Sequence, residues 1–182
     1  MSDMGNALRP FANRLSNMLA RGRIAAVNAV GRMQVLQLQM LQGETKDRVE
    51  HFEPYGFTSH PNPGSAEAAV MFLDGDRSHG IVVVVADRKY RMTGFEQGEV
   101  AIHDDQGQSI HLTRTGIVVK GGGLPMVFED TPQITLRADT KVRIEAALEV
   151  VGGTLTHNGK NIGATHVHTG VTPGGGSTGG PA

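Results

Sequence analysis

The apolar positions of the chain change their spacing twice, and each change marks a new kind of element. Leu8, Phe11, Leu15, Met18 and Leu19 recur at helical spacing, with Arg9, Asn13, Arg14 and Asn17 between them. This predicts a short amphipathic helix within residues 1–21. Ser2 or Asp3 stands where a cap is needed and Gly22 where a stop is needed, while Pro10 fits the first turn and puts the helix start close to itself. The apolar stripe suits packing on its own domain and docking to a partner equally well. From residue 22 to 98 the period falls to two. Leu36, Leu38 and Met40 alternate with Gln37 and Gln39, the pattern of a half-buried strand. Residues 44–48 read as a polar turn, 49–58 as a strand region interrupted by Pro54 and Gly56, and 61–64 as a second turn. Residues 68–73 and 81–86 are apolar runs joined by the polar stretch 74–80. The second run is continuous and β-branched, which predicts burial on both faces. Several short strands in this span suit a small barrel of the OB type.

Residues 99–161 carry the most informative pattern. Ile102, Ile110, Val118, Met126, Ile134, Val142 and Val150 stand eight residues apart and all are apolar. Two positions later Leu112, Phe128, Leu136 and Ile144 repeat the theme, with Asp104 and Lys120 as exceptions. Turn residues separate them: Gly107, Gly116, Gly121, Gly122, Gly123, Asp130 and Asp139. Over 133–150 the positions alternate, with Ile134, Leu136, Ala138, Val142, Ile144, Ala146, Leu148 and Val150 on one side. Gln133, Thr135, Arg137, Asp139, Lys141, Arg143, Glu145 and Glu149 fall on the other. A fixed short period means a repeat architecture. Strands this short bury little within one chain, and single-chain solenoid coils run to about 20 residues or more per turn. Three chains wound about one axis would close the apolar face and leave no open edge. The pattern therefore favours an intertwined, triple-stranded β-helix over a single-chain solenoid or sandwich.

The last zone, 162–182, ends in a Gly-rich stretch that reads as disordered in isolation. Before it stands His166-Val167-His168. On a strand, positions i and i+2 point to the same side, and the even numbers of His166 and His168 continue the inward parity of 142–150. Two imidazoles from each of three chains give an octahedral set on a threefold axis. Zinc prefers about four ligands, so iron, nickel or cobalt fits this geometry better. A saturated ion leaves no position for substrate and is structural. Thr154, Thr156 and Asn158 share the inward parity and suit water or a small ion on the axis. Lys160 shares it too, but a turn at Asn158-Gly159 resets the parity there. Asp74-Gly75-Asp76 lacks the further ligands of a calcium loop and reads as a turn, and His103-Asp104-Asp105 reads as a solvated corner. His51, His60, His79, His111 and His157 show no ligand spacing.

Composition narrows the field. The 182 residues fit one ordinary domain, and aromatics reach only 4%, so a large aromatic core is excluded. There is no cysteine, which removes disulfides, Cys-based zinc sites and thiol nucleophiles. The formal charge of −1 argues against a general nucleic-acid coat, although Phe52, Tyr55 and Phe57 are aromatics of the kind an OB-type single-strand binder uses. No apolar run reaches a membrane span, and Asn, Arg and Ser interrupt the first twenty residues where a signal peptide needs a core. The expectation is a soluble protein made in the cytoplasm. No nucleophile elbow, phosphate loop or zinc-protease motif is present, so no catalytic residue is assigned.

The stretch Phe72-Leu73-Asp74-Gly75-Asp76-Arg77-Ser78-His79-Gly80-Ile81 in an OB-like domain, the short β-repeats after it, and the terminal His-x-His with its Gly-rich end together resemble the central baseplate spike proteins of contractile-tailed phages. The resemblance covers nearly the whole chain. It implies a non-enzymatic virion protein: a homotrimeric, membrane-piercing needle at the tail tip that breaches the host outer membrane during contraction and takes part in baseplate assembly. It implies an all-β architecture with four parts: an N-terminal helix for docking (1–21), an OB-like domain (22–98) facing the tail hub, a triple-stranded β-helix (99–161) and an apex (162–182). It also implies an iron ion at the tip, held by His166 and His168 of three chains, with further axial ions such as calcium or chloride. Relatives that carry a lysozyme domain have room this chain lacks. A metal-dependent enzyme and a glycan- or receptor-binding tail fibre are the rival readings. The first needs an exchangeable water on the metal.

Overall fold

The computed structural model describes residues 3–166 and Gly170. A helix, α1 (Asp3–Asn17), opens the chain. It begins well before Pro10, which lies inside it rather than in its first turn. Proline has no N–H, so the helix forgoes one backbone bond there and continues through the helix-forming residues on either side. Five strands follow: β1 (Leu19–Asn28), β2 (Gln34–Gln39), β3 (Thr45–His51), β4 (Glu67–Phe72) and β5 (Gly80–Ala86). They close into a barrel in the order β1-β2-β3-β5-β4. Only β3 and β5 are parallel, with Glu50 opposite Ile81 and His51 opposite Val82. This is an OB-like barrel, as the short strands of this span predict.

Alternation decides what enters the barrel. Leu36 and Leu38 from β2, Ala68, Val70 and Phe72 from β4, Ile24 from β1, Val49 from β3 and Val82 from β5 form the core with Met40 and Ala66. Residues 44–48 are not a turn, as their polarity suggests. Most of them belong to β3, whose Thr45 pairs with Gln39 and Lys46 with Leu38. Their side chains are polar because this end of β3 shows its outer face to water. A bulge lies between the Lys46 and Val49 pairs, where Arg48 takes a positive φ of 57°. The β-branched run in β5 is likewise not buried on both faces. Val82 is in the core, while Val83 and Val84 are exposed. A barrel wall has one inside, and a register shift opposite Val82 and Val84 lets Val85 return to the core.

The motif between β4 and β5 is a corner. Asp74 sits at φ 53° and Gly75 at φ 70°. A Cβ on Gly75 would stand 2.6 Å from the Arg14 carbonyl oxygen, so glycine is what lets α1 seat here. Phe72 N–H donates to the Met18 carbonyl at 2.8 Å, tying the end of α1 to the barrel.

After the barrel come β6 (Val100–His103), β7 (Gln108–Leu112) and β8 (Ile117–Gly121), an antiparallel meander within one chain. Ile102 faces Ile110 across β6 and β7, but the eight-residue step to Val118 leaves that face. Ile110 pairs with Val119, and Val118 pairs with His111. Antiparallel hairpins match positions by a constant sum, not a constant difference, so an eightfold spacing does not survive both turns on one face. The chain divides into two compact units, Met1–Val127 and Phe128–Ala182. In the second unit the described strands are β9 (Thr156–His157) and β10 (Lys160–Asn161). Asn158 (φ 49°) and Gly159 (φ 74°) join them, both with the positive φ that a tight hairpin turn requires, at the turn the sequence predicts. The even-numbered apolar residues Ile134, Leu136, Val142, Ile144, Leu148 and Val150 are 52–73% exposed. No described helix is long and apolar enough to cross a membrane.

Candidate apex metal centre and the polar sites of the barrel

His166 follows the β9–β10 hairpin on a short hydrogen-bonded turn. Ile162 N–H donates to the Leu155 carbonyl at 2.8 Å, Gly163 N–H to Asn161 Oδ1 at 2.8 Å, and Asn161 Nδ2 to Thr165 Oγ1 at 2.8 Å. The turn closes on His166 itself. Its backbone N–H donates to the Gly163 carbonyl at 3.1 Å, and its Nδ1 lies 2.7 Å from the same oxygen. A carbonyl only accepts, so Nδ1 is the donor in this contact and carries a proton. Metal-binding histidines are commonly oriented in this way, with the non-ligating nitrogen donating to a backbone carbonyl. His166 therefore fits the role of an Nε2 ligand. His168 lies outside the described residues. Among the described residues, no group of three or more His, Asp or Glu is placed to hold a metal ion.

The other candidates resolve into turns. Asp76 Oδ1 accepts from Ser78 N–H and Ser78 Oγ, both at 2.8 Å, and these bonds hold its carboxyl below the usual range. Asp74 faces Arg14 at 3.6 Å. Asp104 Oδ1 accepts from the N–H groups of Gln106 (3.0 Å) and Gln108 (2.8 Å), closing the β6–β7 turn, and Asp105 accepts from Asn62 at 3.2 Å. Phe52, Tyr55 and Phe57 stand exposed on the segment after β3.

Two polar sites of the barrel escaped the sequence reading. Arg77 pairs with Glu44 and stacks its guanidinium 4.9 Å from the centroid of the Phe72 ring. Bonds from Arg77 and Lys46 hold the Glu44 carboxyl below its ordinary value. Only the fold brings β3 beside the 74–80 corner, so no local pattern announces this cluster. The second site is His51, buried against Gln34, with Nδ1 donating to Gln34 Oε1 at 3.0 Å and Gln34 Nε2 donating to the Ser59 carbonyl at 2.7 Å. Here a signal existed: Gln34 shares the inward parity of Leu36 and Leu38.

Burial lowers the His51 pKa from 6.5, against a smaller opposing pull from Glu53. Below about pH 6.5 the unfolded chain therefore binds a proton that the folded barrel refuses. The contribution of His51 to stability is complete above that pH and declines as the pH falls through the interval down to the folded pKa. The urea midpoint should fall between pH 7.5 and 5.5, and the fall should be smaller in His51→Gln. Equal slopes for the two proteins would remove His51 as the cause.

The family model described as Bacteriophage Mu Gp45, N-terminal, matches residues 21–89, which span the barrel, and the model described as GpV Apex motif matches residues 164–182, which include His166 and His168. The baseplate puncturing device gp45 of Escherichia phage Mu is 36% identical over 157 residues, 83% of this chain and 78% of the relative. The Mu-like prophage FluMu protein gp45 of Haemophilus influenzae is 33% identical over 116 residues, 64% of this chain and 63% of that relative. With more than a third of the residues shared along most of both lengths, the chain belongs to the Mu gp45 family of phage baseplate puncturing proteins.

Proposed function

We propose that three copies of this chain form the cell-puncturing spike at the tip of a contractile phage tail. In this reading residues 1–21 and the barrel (22–98) attach to hub proteins of the baseplate, 99–161 wind with two other copies into a β-helix needle, and 162–182 form the apex that meets the host outer membrane. The protein is made in the host cytoplasm, is carried in the virion, and acts mechanically rather than as an enzyme. The observation that carries this is the run of apolar residues from Ile134 to Val150. They alternate with charged and polar ones, save at Thr140 and Ala147, yet stand exposed and without strand partners in the described chain. Such a face, repeated on each copy, is buried when three copies close around an axis. The name of the phage Mu relative and the match to the apex motif support the same role.

At the apex His166 and His168 would hold the ion, iron by preference, with Gly163 orienting the His166 ring through Nδ1. Bound there, the metal would supply a crosslink between three chain ends and nothing catalytic. Calcium or chloride on the axis near Thr154 and Thr156 belongs to the same proposal. Native mass measurement combined with elemental analysis of the full chain tests it. The expected result is the mass of three chains with about one iron per three. A monomer free of metal would overturn the reading.

A further inference from the structure

We infer that His111 and Glu99 form a proton-operated clasp. When His111 gains a proton, the strap that joins the barrel to the β6–β8 sheet is drawn tight against the sheet, and when the proton leaves the strap slackens. The clasp lies within one chain and needs no association of copies.

The strap is the segment 87–99 between β5 and β6. It opens with a turn at Asp87, whose Oδ1 accepts from Lys89 N–H at 2.9 Å and whose carbonyl accepts from Arg91 N–H at 3.1 Å. It closes with a second turn, in which Glu99 N–H donates to the Glu96 carbonyl at 3.2 Å and Glu96 N–H donates to Glu99 Oε2 at 3.0 Å. Glu99 Oε1 accepts from Arg114 N–H at 3.0 Å, just beyond β7. Phe95 meets the His111 ring edge-on, 4.8 Å between ring centroids. Gly98, at φ 88°, lies so close under the Arg114 guanidinium that a Cβ would stand 2.6 Å from Nη2. Strap, central strand and the β7–β8 turn therefore converge on one carboxylate, whose side chain is only 8% exposed.

One atom in this arrangement is unsatisfied. His111 Nε2 is shut off from water and makes no hydrogen bond among the described residues, although Glu99 Oε2 lies 3.3 Å away. A buried polar atom without a partner is uncommon and costly. The neutral ring has no remedy: toward the carboxylate it turns either a lone pair or an N–H at an angle where no bond forms. The protonated ring carries an N–H on both nitrogens and a positive charge. A small movement of the strap then completes a charge-assisted hydrogen bond, and the buried setting strengthens it.

The carboxylate is prepared for that proton. The N–H groups of Glu96 and Arg114 hold the Glu99 carboxyl below its ordinary value. It stays ionised while imidazoles change charge, between about pH 5 and 8. The other charged or titratable residues on the elements around His111 are Glu96 on the strap, Arg114 after β7, and His103 and Lys120 further along the same sheet face. Among the described residues only Glu99 comes within ion-pair distance of the ring. The direction is opposite to that of His51. The folded barrel refuses a proton at His51, so acid withdraws stability there, whereas a proton on His111 meets a buried anion and acid adds to the hold of the strap.

Amide hydrogen exchange of the full chain at pH 7.5 and 5.5, corrected for the intrinsic effect of pH, tests the clasp. The N–H groups of Glu96 and Arg114 bond Glu99 and report on the strap. Their protection is expected to rise about fivefold at pH 5.5, while that of Ile24, Leu38 and Val70 in the barrel does not rise. In His111→Gln, whose amide donates at either pH, and in Glu99→Gln, the two N–H groups should be equally protected at both. Unchanged protection in the unaltered chain, or an equal rise in His111→Gln, would overturn the inference. Should either substitution loosen the sheet itself, NMR of the unaltered chain decides. The Glu96 and Arg114 amide resonances should move over the same pH interval as the His111 ring resonances, and amides that stay still while the ring titrates would leave no clasp.

Discussion

Replacing Phe72 with alanine is expected to destabilise the barrel by about 3–5 kcal/mol, the largest loss any single truncation here should produce. Phe72 is the bulkiest fully buried side chain among the described residues, and it stands where three parts of the barrel meet. Its ring lies so close to Gly80 that a Cβ there would stand 2.7 Å from Cε1, so β5 is packed directly on it. The Arg77 guanidinium rests against the ring while bonding Glu44, which joins the 74–80 corner to β3. Its own N–H holds the end of α1 through Met18. The removed ring would leave a void walled by Val70 and by backbone, and backbone in a closed barrel cannot collapse far to fill it. Urea unfolding at fixed protein concentration checks the result, with Phe57→Ala on the exposed segment as a control expected within about 0.5 kcal/mol of the parent. A loss below about 1 kcal/mol for Phe72→Ala, with the unfolding slope unchanged, would mean that the barrel does not depend on this contact.

Phe72 also shows what the sequence made legible and what it did not. Its place in an alternating run with Ala68 and Val70 marks it as inward, and the same rule places Leu36 and Leu38. Parity is a local property, so it survives without knowledge of the fold. It failed where a bulge intervened. Between Val82 and Val85 the inward parity changes, and a run that looks buried throughout becomes a wall with one wet side. It failed again at 44–48, where outward polar side chains on a strand look the same as a turn. It failed a third time at Val118, because hairpin pairing inverts direction at each turn. The Arg77–Glu44 pair lay beyond any local rule, since closure of the barrel alone brings residues 33 positions apart into contact. At the apex the reverse holds. The sequence offers the pattern His166-x-His168, and the described residues add the orientation of one ring. The proposed octahedral set would be a property of several chains, which no single chain displays.

Changing both His166 and His168 to alanine is expected to abolish bound metal while leaving the mass of the assembly unchanged. The two effects separate because they draw on different surfaces. Metal binding depends on imidazole nitrogens gathered at one point, and an alanine methyl offers no lone pair, so occupancy should fall from about one ion per three chains to none. In the proposed spike, association would rest on the apolar residues Ile134 to Val150, which the substitution does not touch. His166→Ala alone halves the ligand set, and metal retained on purification should drop sharply without the multimer dissociating. The functional cost should appear under load rather than at rest. In the proposed spike the three chain ends would be free to fray without the crosslink, so the apex should exchange amide hydrogens and yield to protease faster than in the parent, with β6–β8 unaffected. Elemental analysis, native mass and exchange at residues 155–166 provide the three readings. Stoichiometric metal in the double variant would place the ion elsewhere. Loss of the multimer together with the metal would make the ion, not the apolar face of Ile134 to Val150, the principal tie between chains.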